Sequence, residues 1–424
     1  MSRVEVITHG CRLNIAESER IAAMLAGAGD DLVVINSCAV TAEAVKTARQ
    51  AIRRARRDRP DARIVVTGCA AQIEPDTFRA MPEVTGVVSN TAKLDPTHYP
   101  SSLPAHHPSP PRRQEPISLA SVIDQRTVAA PAPPPRRGEH ARFFLPVQNG
   151  CDHRCTFCII PYGRGASRSL PAGGVIDEVR AAVDGGAREV VLTGVDLTAY
   201  GADLPGSPTL GRLVERILTH VPALARLRLS SLDPCEVDDR LFALLTGEAR
   251  LMPHVHLSLQ AGHDLILKRM KRRHARADAV DLVARLKAAR PEIAIGADLI
   301  AGFPTEDEAM FADTLGLVDD CAIVFGHIFP YSPRTGTPAA RMPQVAHSAI
   351  KARAARLRGA CAAAKAGWLK EQIGTVAQVL VENDGVHGHA GNFARVAVAG
   401  GAANRILPVR ITGVDGETLI GVAA

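Results

Sequence analysis

Cys151-Asp152-His153-Arg154-Cys155-Thr156-Phe157-Cys158 follows directly on the apolar run Arg142-Phe143-Phe144-Leu145-Pro146-Val147-Gln148. Three thiols separated by three and then two residues can ligate three irons of a 4Fe-4S cubane and leave the fourth iron without a protein ligand. A structural zinc site is the competing reading. Such sites are closed by a fourth Cys or His, usually as paired Cys-x-x-Cys knuckles, and no second knuckle is present. The run before the loop is also the first of six β-like runs, at 143–148, 189–194, 225–231, 254–260, 293–301 and 323–331, separated by stretches of helical periodicity. Six such repeats predict an incomplete α/β barrel.

Polar residues gather where these runs end: Thr193-Gly194-Val195-Asp196, Ser230-Ser231-Leu232-Asp233, Ser258-Leu259-Gln260, Asp298 with Gly302, and His327 with Tyr331 and Ser332. The carboxyl ends of barrel strands form the mouth where active sites lie, and the Cys151 loop follows the first strand to that mouth. One polar strand end is an ordinary cap or turn. Five around one cysteine loop read as a pocket, with Thr193, Gly194, Asp196, Ser231, Gln260 and Asp298 as candidate contacts for a bound cofactor.

Upstream, Arg3–Thr8, Leu32–Ser37 and Arg63–Thr67 are short β-rich runs alternating with helical stretches, which predicts a small parallel sheet. Each run ends in a cysteine: His9-Gly10-Cys11, Asn36-Ser37-Cys38 and Thr67-Gly68-Cys69. In a parallel sheet the carboxyl ends lie along one edge, so the three thiols converge and can form a second three-thiolate cluster site. Any one of them alone reads as a buried small hydrophobe. The helix after Cys38 carries Lys46, Arg49, Arg53, Arg54, Arg56, Arg57 and Arg59, and Lys268-Arg269-Met270-Lys271-Arg272-Arg273 is a second basic run, long enough for a helical lip beside the pocket. A solvated face is the commoner explanation of such runs. Their density makes Arg53, Arg54, Arg57, Lys271, Arg272 and Arg273 candidates for RNA contact.

Ten prolines between Pro100 and Pro135 mark a linker. After Trp368 the pattern changes to short β runs at 373–382, 392–398, 405–411 and 417–422 with turns at Asn383-Asp384-Gly385, Gly400-Gly401 and Asp415-Gly416, which predicts a small five-stranded barrel of the oligonucleotide-binding type. The 424 residues are 46% hydrophobic and 22% charged, as in an ordinary soluble protein, and no apolar run is long enough to span a bilayer. With no secretory signal at the N-terminus, a cytoplasmic location is expected. Nine cysteines, an odd number, argue for reduced thiols or metal ligands over a disulfide framework. Cys235, Cys321 and Cys361 follow no ligand spacing. The formal charge of +6 suits a polyanionic partner.

These motifs together resemble the radical S-adenosylmethionine (SAM) methylthiotransferases along nearly the whole chain. Gly10-Cys11-Arg12-Leu13-Asn14 with Ala16-Glu17-Ser18-Glu19, Asn36-Ser37-Cys38-Ala39-Val40-Thr41 and Thr67-Gly68-Cys69-Ala70 match the segments that hold the family's auxiliary 4Fe-4S cluster. Gly150 to Arg164, with Phe157 before the third cysteine as a further candidate cofactor contact, matches the SAM-cluster segment, and residues 372–424 resemble the TRAM RNA-binding module. The resemblance implies residues 1–98 as the methylthiotransferase domain, 99–140 as linker, 141–370 as the radical SAM domain and 371–424 as the TRAM-like domain. It implies two 4Fe-4S clusters and SAM as cofactors, a tRNA anticodon loop as substrate, and outside donors of electrons and sulfur. Within the family, Leu229-Ser230-Ser231-Leu232-Asp233-Pro234 and Cys-Asp-His-Arg-Cys resemble most the branch acting on threonylcarbamoyladenosine. The other branches act on isopentenyladenosine in tRNA or on an aspartate of a ribosomal protein. A non-catalytic RNA-binding iron-sulfur regulator is the alternative of another class. In this chain Phe393 stands where the module commonly has tyrosine, and the module carries few basic residues.

Overall fold

The structure, a computed structural model, describes residues 4–27, 31–99 and 141–424. The proline-rich stretch expected as a linker lies outside these residues. The described chain divides into two compact units: residues up to 99 together with 148–154 and 158–169, and residues 141–147, 155–157 and 170–424.

In the first unit β1 (Val4–Thr8), β2 (Leu32–Ser37), β3 (Arg63–Gly68) and β4 (Gly86–Val87) form one parallel sheet in that order. Leu32-Val-Val-Ile35 and Ile64-Val-Val66 are continuously apolar because both faces of these central strands are covered, and every residue of β2 and β3 is buried. The connecting helices are α1 (Arg12–Met24), α2 (Ala42–Asp58), α3 (Cys69–Ile73) and α4 (Pro75–Arg79). Helix α2 starts at Thr41, whose Oγ1 accepts from Ala44 N at 3.1 Å. It buries Val45, Ala48, Ile52 and Ala55, spaced three or four apart, and so leaves Arg53, Arg54 and Arg57 exposed. Strand β4, two residues long, was not among the expected runs.

The second unit holds the six expected β–α repeats. Arg142–Pro146, Glu189–Thr193 and Arg226–Leu229 form one parallel sheet, and Ser231–Leu232, His254–Gln260, Ala294–Ala301 and Ile323–Pro330 form another, in chain order throughout. The third run, expected as one strand, is therefore split at Ser230, its first half pairing parallel with Glu189–Thr193 and its second with His254–Gln260.

The helix His347–Glu371 leads to a closed five-stranded barrel built from Val376–Val381, His387–Ala390, Arg395–Ala399, Ile406–Asp415 and Thr418–Ala423. Its second strand was not among the expected runs, because His387-Gly-His-Ala390 has no large apolar residue. Gly388 is needed there: a Cβ would lie 2.4 Å from Leu380 O. The small barrel packs on the α/β barrel through Phe393. That ring stacks on His389 at 4.9 Å, meets His254 at 4.9 Å and Phe325 at 5.8 Å, and lies under the guanidinium groups of Arg228 (4.9 Å) and Arg142 (5.3 Å). Arg228 is itself buried and held by Glu189 at 2.7 Å. Among the described residues no helix is long and apolar enough to cross a membrane.

Candidate active site

The first unit places its three cysteines where the parallel sheet requires. Cys11 caps the start of α1 after β1, Cys38 follows β2, and Cys69 opens α3 after β3. Two glycines make the approach possible. A Cβ on Gly10 (φ +103°) would come within 2.8 Å of the Cys38 Cβ, and one on Gly68 (φ +94°) within 2.3 Å of Ser37 O. Burial pushes the Cys38 thiol up to about 11, and the charges of Cys69 and Cys11 push the same way, so the three groups lie within one another's field.

Cys38 and Cys69 are buried and Cys11 is exposed, and the three thiols together make a donor set suited to a 4Fe-4S cluster. Arg164, its side chain 3% exposed, acts on all three cysteines electrostatically. The site therefore has a cation in reserve for an anionic cluster.

Each part of the Cys151 loop is held by bonds within its own unit. In the first unit Cys151 N donates to Gly165 O at 3.1 Å, Asp152 Oδ1 accepts from Ser167 N at 3.1 Å, and Gly150 (φ +73°) carries no Cβ where one would strike Ala166 O. In the second unit Thr156 is clamped by three bonds: its N donates to Met270 O (3.1 Å), its Oγ1 to Arg269 O (2.8 Å), and its O accepts from Ala339 N (2.9 Å). Phe157 makes an edge contact with Phe303 at 6.4 Å within an apolar cluster around Met270 and Tyr331. Its ring thus serves as a packing anchor next to the third cysteine.

Arg272 belongs to this site and not to a helical lip. Helix Asp264–Met270 stops at Lys271, which takes the left-handed conformation (φ 58°, ψ 40°), and residues 271–275 form a loop. This turns Arg272 inward. It donates to Asp233 Oδ2 and Ser258 O, both at 2.8 Å, and its Nη1 lies 3.8 Å from Cys155 Sγ. Lys271 stays exposed, and Arg273 pairs with Glu236 at 2.9 Å. On α2, Arg54 pairs with Asp58 at 3.4 Å and Arg53 lies 3.9 Å from Glu83, both in the open. Arg56 is used internally, donating to Pro60, Ala62 and Glu83 carbonyls at 2.6–2.9 Å. Arg54, Arg57 and Arg59 border a cavity of about 700 Å³ with His9 and Gln50.

Of the expected pocket residues, Thr193 is buried at its strand end and its Oγ1 has no partner among the described residues. Gly194 follows it, and Asp196 stands before the short helical turn Leu197–Ala199. Ser231 opens its short strand, and Gln260 ends its own with φ +68°. Asp298 sits mid-strand, bonded through Oδ1 to His256 Nε2 (3.0 Å) and His327 Nδ1 (3.2 Å). Burial would raise its carboxyl, but the bonds to His256 and His327 outweigh burial and hold it well below the usual range. His256, which completes this set, carries no local motif and was not singled out from sequence.

Residues 145–318 match the Radical SAM superfamily, and residues 3–89 match Uncharacterized protein family UPF0004. The chain is 47% identical over 392 residues to the threonylcarbamoyladenosine tRNA methylthiotransferase MtaB of Rickettsia prowazekii (strain Madrid E), covering 92% of this chain and 90% of that protein. It is 35% identical over 360 residues to the Bacillus subtilis (strain 168) protein of the same name, covering 83% and 78%. It is also 35% identical over 396 residues to the tRNA-2-methylthio-N(6)-dimethylallyladenosine synthase of Erythrobacter litoralis (strain HTCC2594), covering 90% and 87%. Among solved structures it shares the fold of the radical SAM methyltransferase TsrM from Kitasatospora setae, with a TM-score of 0.53 at 17% identity over 80% of this chain and 75% of that one.

Proposed function

The chain belongs to the radical SAM methylthiotransferase family, and we infer that it methylthiolates carbon 2 of N6-threonylcarbamoyladenosine beside the anticodon of tRNA. The observation that carries the choice of substrate is the 47% identity, over 92% of the chain, to a relative named for that reaction. The dimethylallyladenosine relative matches at only 35%. In this reading Cys151, Cys155 and Cys158 hold one 4Fe-4S cluster with SAM at its open iron, and Cys11, Cys38 and Cys69 hold the other. When bound, these groups supply what the protein's own side chains lack, a radical able to attack an unactivated aromatic C–H and a sulfur to insert there.

The chain's own part is positioning. The bonds on Thr156 and the Phe157–Phe303 contact set the Cys155–Phe157 segment, and the Arg272 guanidinium gives Cys155 a charged donor at 3.8 Å. Thr193, Gly194, Asp196, Ser231, Gln260 and Asp298 offer polar contacts for SAM at the strand ends. The target base must leave its stack to reach the barrel, which costs less in an anticodon loop than in a duplex. In this reading Arg53, Arg54, Arg57, Lys271 and Arg273 would meet phosphates, with Arg272 serving the cysteine loop instead. The protein works in the cytoplasm and takes electrons and sulfur from separate donors.

The test is mass spectrometry of tRNA nucleosides from a strain lacking this activity and expressing the chain. Appearance of 2-methylthio-N6-threonylcarbamoyladenosine is expected. Its absence alongside a methylthiolated dimethylallyladenosine would overturn the substrate. Failure of the purified, anaerobic protein to form 5′-deoxyadenosine from SAM and dithionite would turn the reading toward a cluster-holding RNA-binding protein.

A further inference from the structure

Next to the three-cysteine site the first unit buries an ion network in which, among the described residues, two cations meet one carboxylate. Arg164 Nη1 and Nη2 donate to the two Glu17 oxygens at 2.9 and 3.1 Å, and Nη2 also reaches Asn14 Oδ1 at 2.5 Å. Lys93 Nζ lies 2.5 Å from Glu17 Oε2 and 2.8 Å from Asn90 Oδ1. The three charged side chains are only 3–6% exposed. Two cations therefore share one carboxylate. A further buried guanidinium, Arg168, donates to Arg164 O at 2.8 Å.

The network's amides extend to the thiols. Asn90 Nδ2 is 3.7 Å from Cys69 Sγ, and Asn14 Oδ1 is 3.9 Å from Cys11 Sγ. An uncompensated buried charge is strongly unfavourable, and an anionic occupant of the neighbouring three-cysteine site would offset it. A 4Fe-4S core in its 2+ state, bound by three thiolates, carries one net negative charge. That matches the one positive charge left over by Glu17, Lys93 and Arg164.

Resting on the reading of Cys11, Cys38 and Cys69 as a cluster site, we propose that Glu17, Lys93 and Arg164 are positioning residues that balance the charge of that cluster and set its reduction potential. Arg164 gives the network a second role. It ends the helix Ile160–Arg164, which begins two residues after Cys158, so the same charge anchors the segment leading away from the other cysteine loop. Asn90 supports that anchor by donating to Gly163 O at 2.6 Å. The bland alternative is an ion pair that only fastens this segment to α1, with no bearing on a cluster.

The experiment uses the full chain with Cys151, Cys155 and Cys158 changed to Ala, so that only one cluster is present, reconstituted without oxygen and titrated with dithionite under EPR. Lys93→Met removes a positive charge and should make reduction about tenfold less favourable, a downward shift of about 59 mV for one electron. Glu17→Gln should shift the potential upward by a similar factor. The double variant, which removes one charge of each sign, should return to the parent potential. Opposite shifts that cancel support the proposal, because damage to packing has no reason to change sign with the charge removed. Shifts in one direction, or none, overturn it. Should Glu17→Gln alone fail to fold, Lys93→Met against the double variant decides in the same way: a potential restored in the double supports the proposal, and one left lowered overturns it. A folded triple-alanine protein that takes up no iron would sink the cluster reading itself and the inference with it, an outcome distinct from a cluster whose potential ignores these charges.

Discussion

Phe393 offers a sharp separation between a structural and an RNA-binding role for the small C-terminal barrel. Its ring is enclosed by His389, His254 and Phe325 and by two guanidinium groups, all within 5.8 Å. Removing a largely buried Phe ring costs about 3–5 kcal/mol, and the partial exposure of this one lowers that to roughly 2–4. Phe393 also holds φ at +74°, where a side chain costs about 1 kcal/mol that glycine does not. The expected order is therefore wild type, then Phe393→Gly, then Phe393→Ala, with the glycine variant about 1 kcal/mol more stable than the alanine. Urea unfolding of the cluster-free protein measures the order, and filter binding of unmodified tRNA measures the other role. If Phe393→Ala weakened tRNA binding tenfold and left stability unchanged, the ring would be a base-stacking platform and the docking argument would be wrong.

Anaerobic reconstitution should load about eight irons per chain, and changing Cys151, Cys155 and Cys158 together to Ala should leave about half; loss of all iron would contradict two independent sites. Cys38→Ala should still form 5′-deoxyadenosine but no methylthio-nucleoside, whereas Cys155→Ala should form neither, with circular dichroism confirming that both variants fold. Charge reversal of Arg53, Arg54 and Arg57 should weaken tRNA binding and lower its salt slope by about one per lost phosphate contact; an unchanged slope would make α2 a plain solvated face. Glu382 is bonded to His389 Nδ1 (3.1 Å) and Arg142 Nη2 (3.2 Å), and although burial raises its carboxyl, these partners bring it down to about 2. A depressed carboxylate contributes stability that is present above its unfolded value near 4.5 and lost as pH falls toward 2, here about 2 kcal/mol after allowance for partial exposure, and Glu382→Gln should flatten that part of the acid titration.

The six barrel strands and the three cysteine-ended strands of the first unit were legible because each obeys a local rule. Runs such as Glu189-Val-Val-Leu-Thr193 can be covered on both faces only in a parallel sheet, and a sheet of that kind brings Cys11, Cys38 and Cys69 to one edge whatever lies between them. The break at Ser230 and the strand His387–Ala390 were not legible, since both are decided by which neighbour pairs with the backbone. Arg272 shows the limit for charge: in a row with Lys271 and Arg273 it reads as surface, and only the left-handed turn at Lys271 sends it inward to Asp233.

The same limit hid the network around Glu17. Arg164 lies 147 residues from Glu17, and helical periodicity reports partners only three or four residues apart. Candidate cluster thiols are exposed by a short spacing, as at Cys151, Cys155 and Cys158, or by a repeated strand end, as at Cys11, Cys38 and Cys69. A buried cation that balances the cluster can come from any segment that folds nearby, so its identity is settled by tertiary packing alone. Residues that tune such a site are therefore to be sought in the charge balance of its buried surroundings, where, among the described residues, Lys93 and Arg164 both pair with the carboxylate of Glu17.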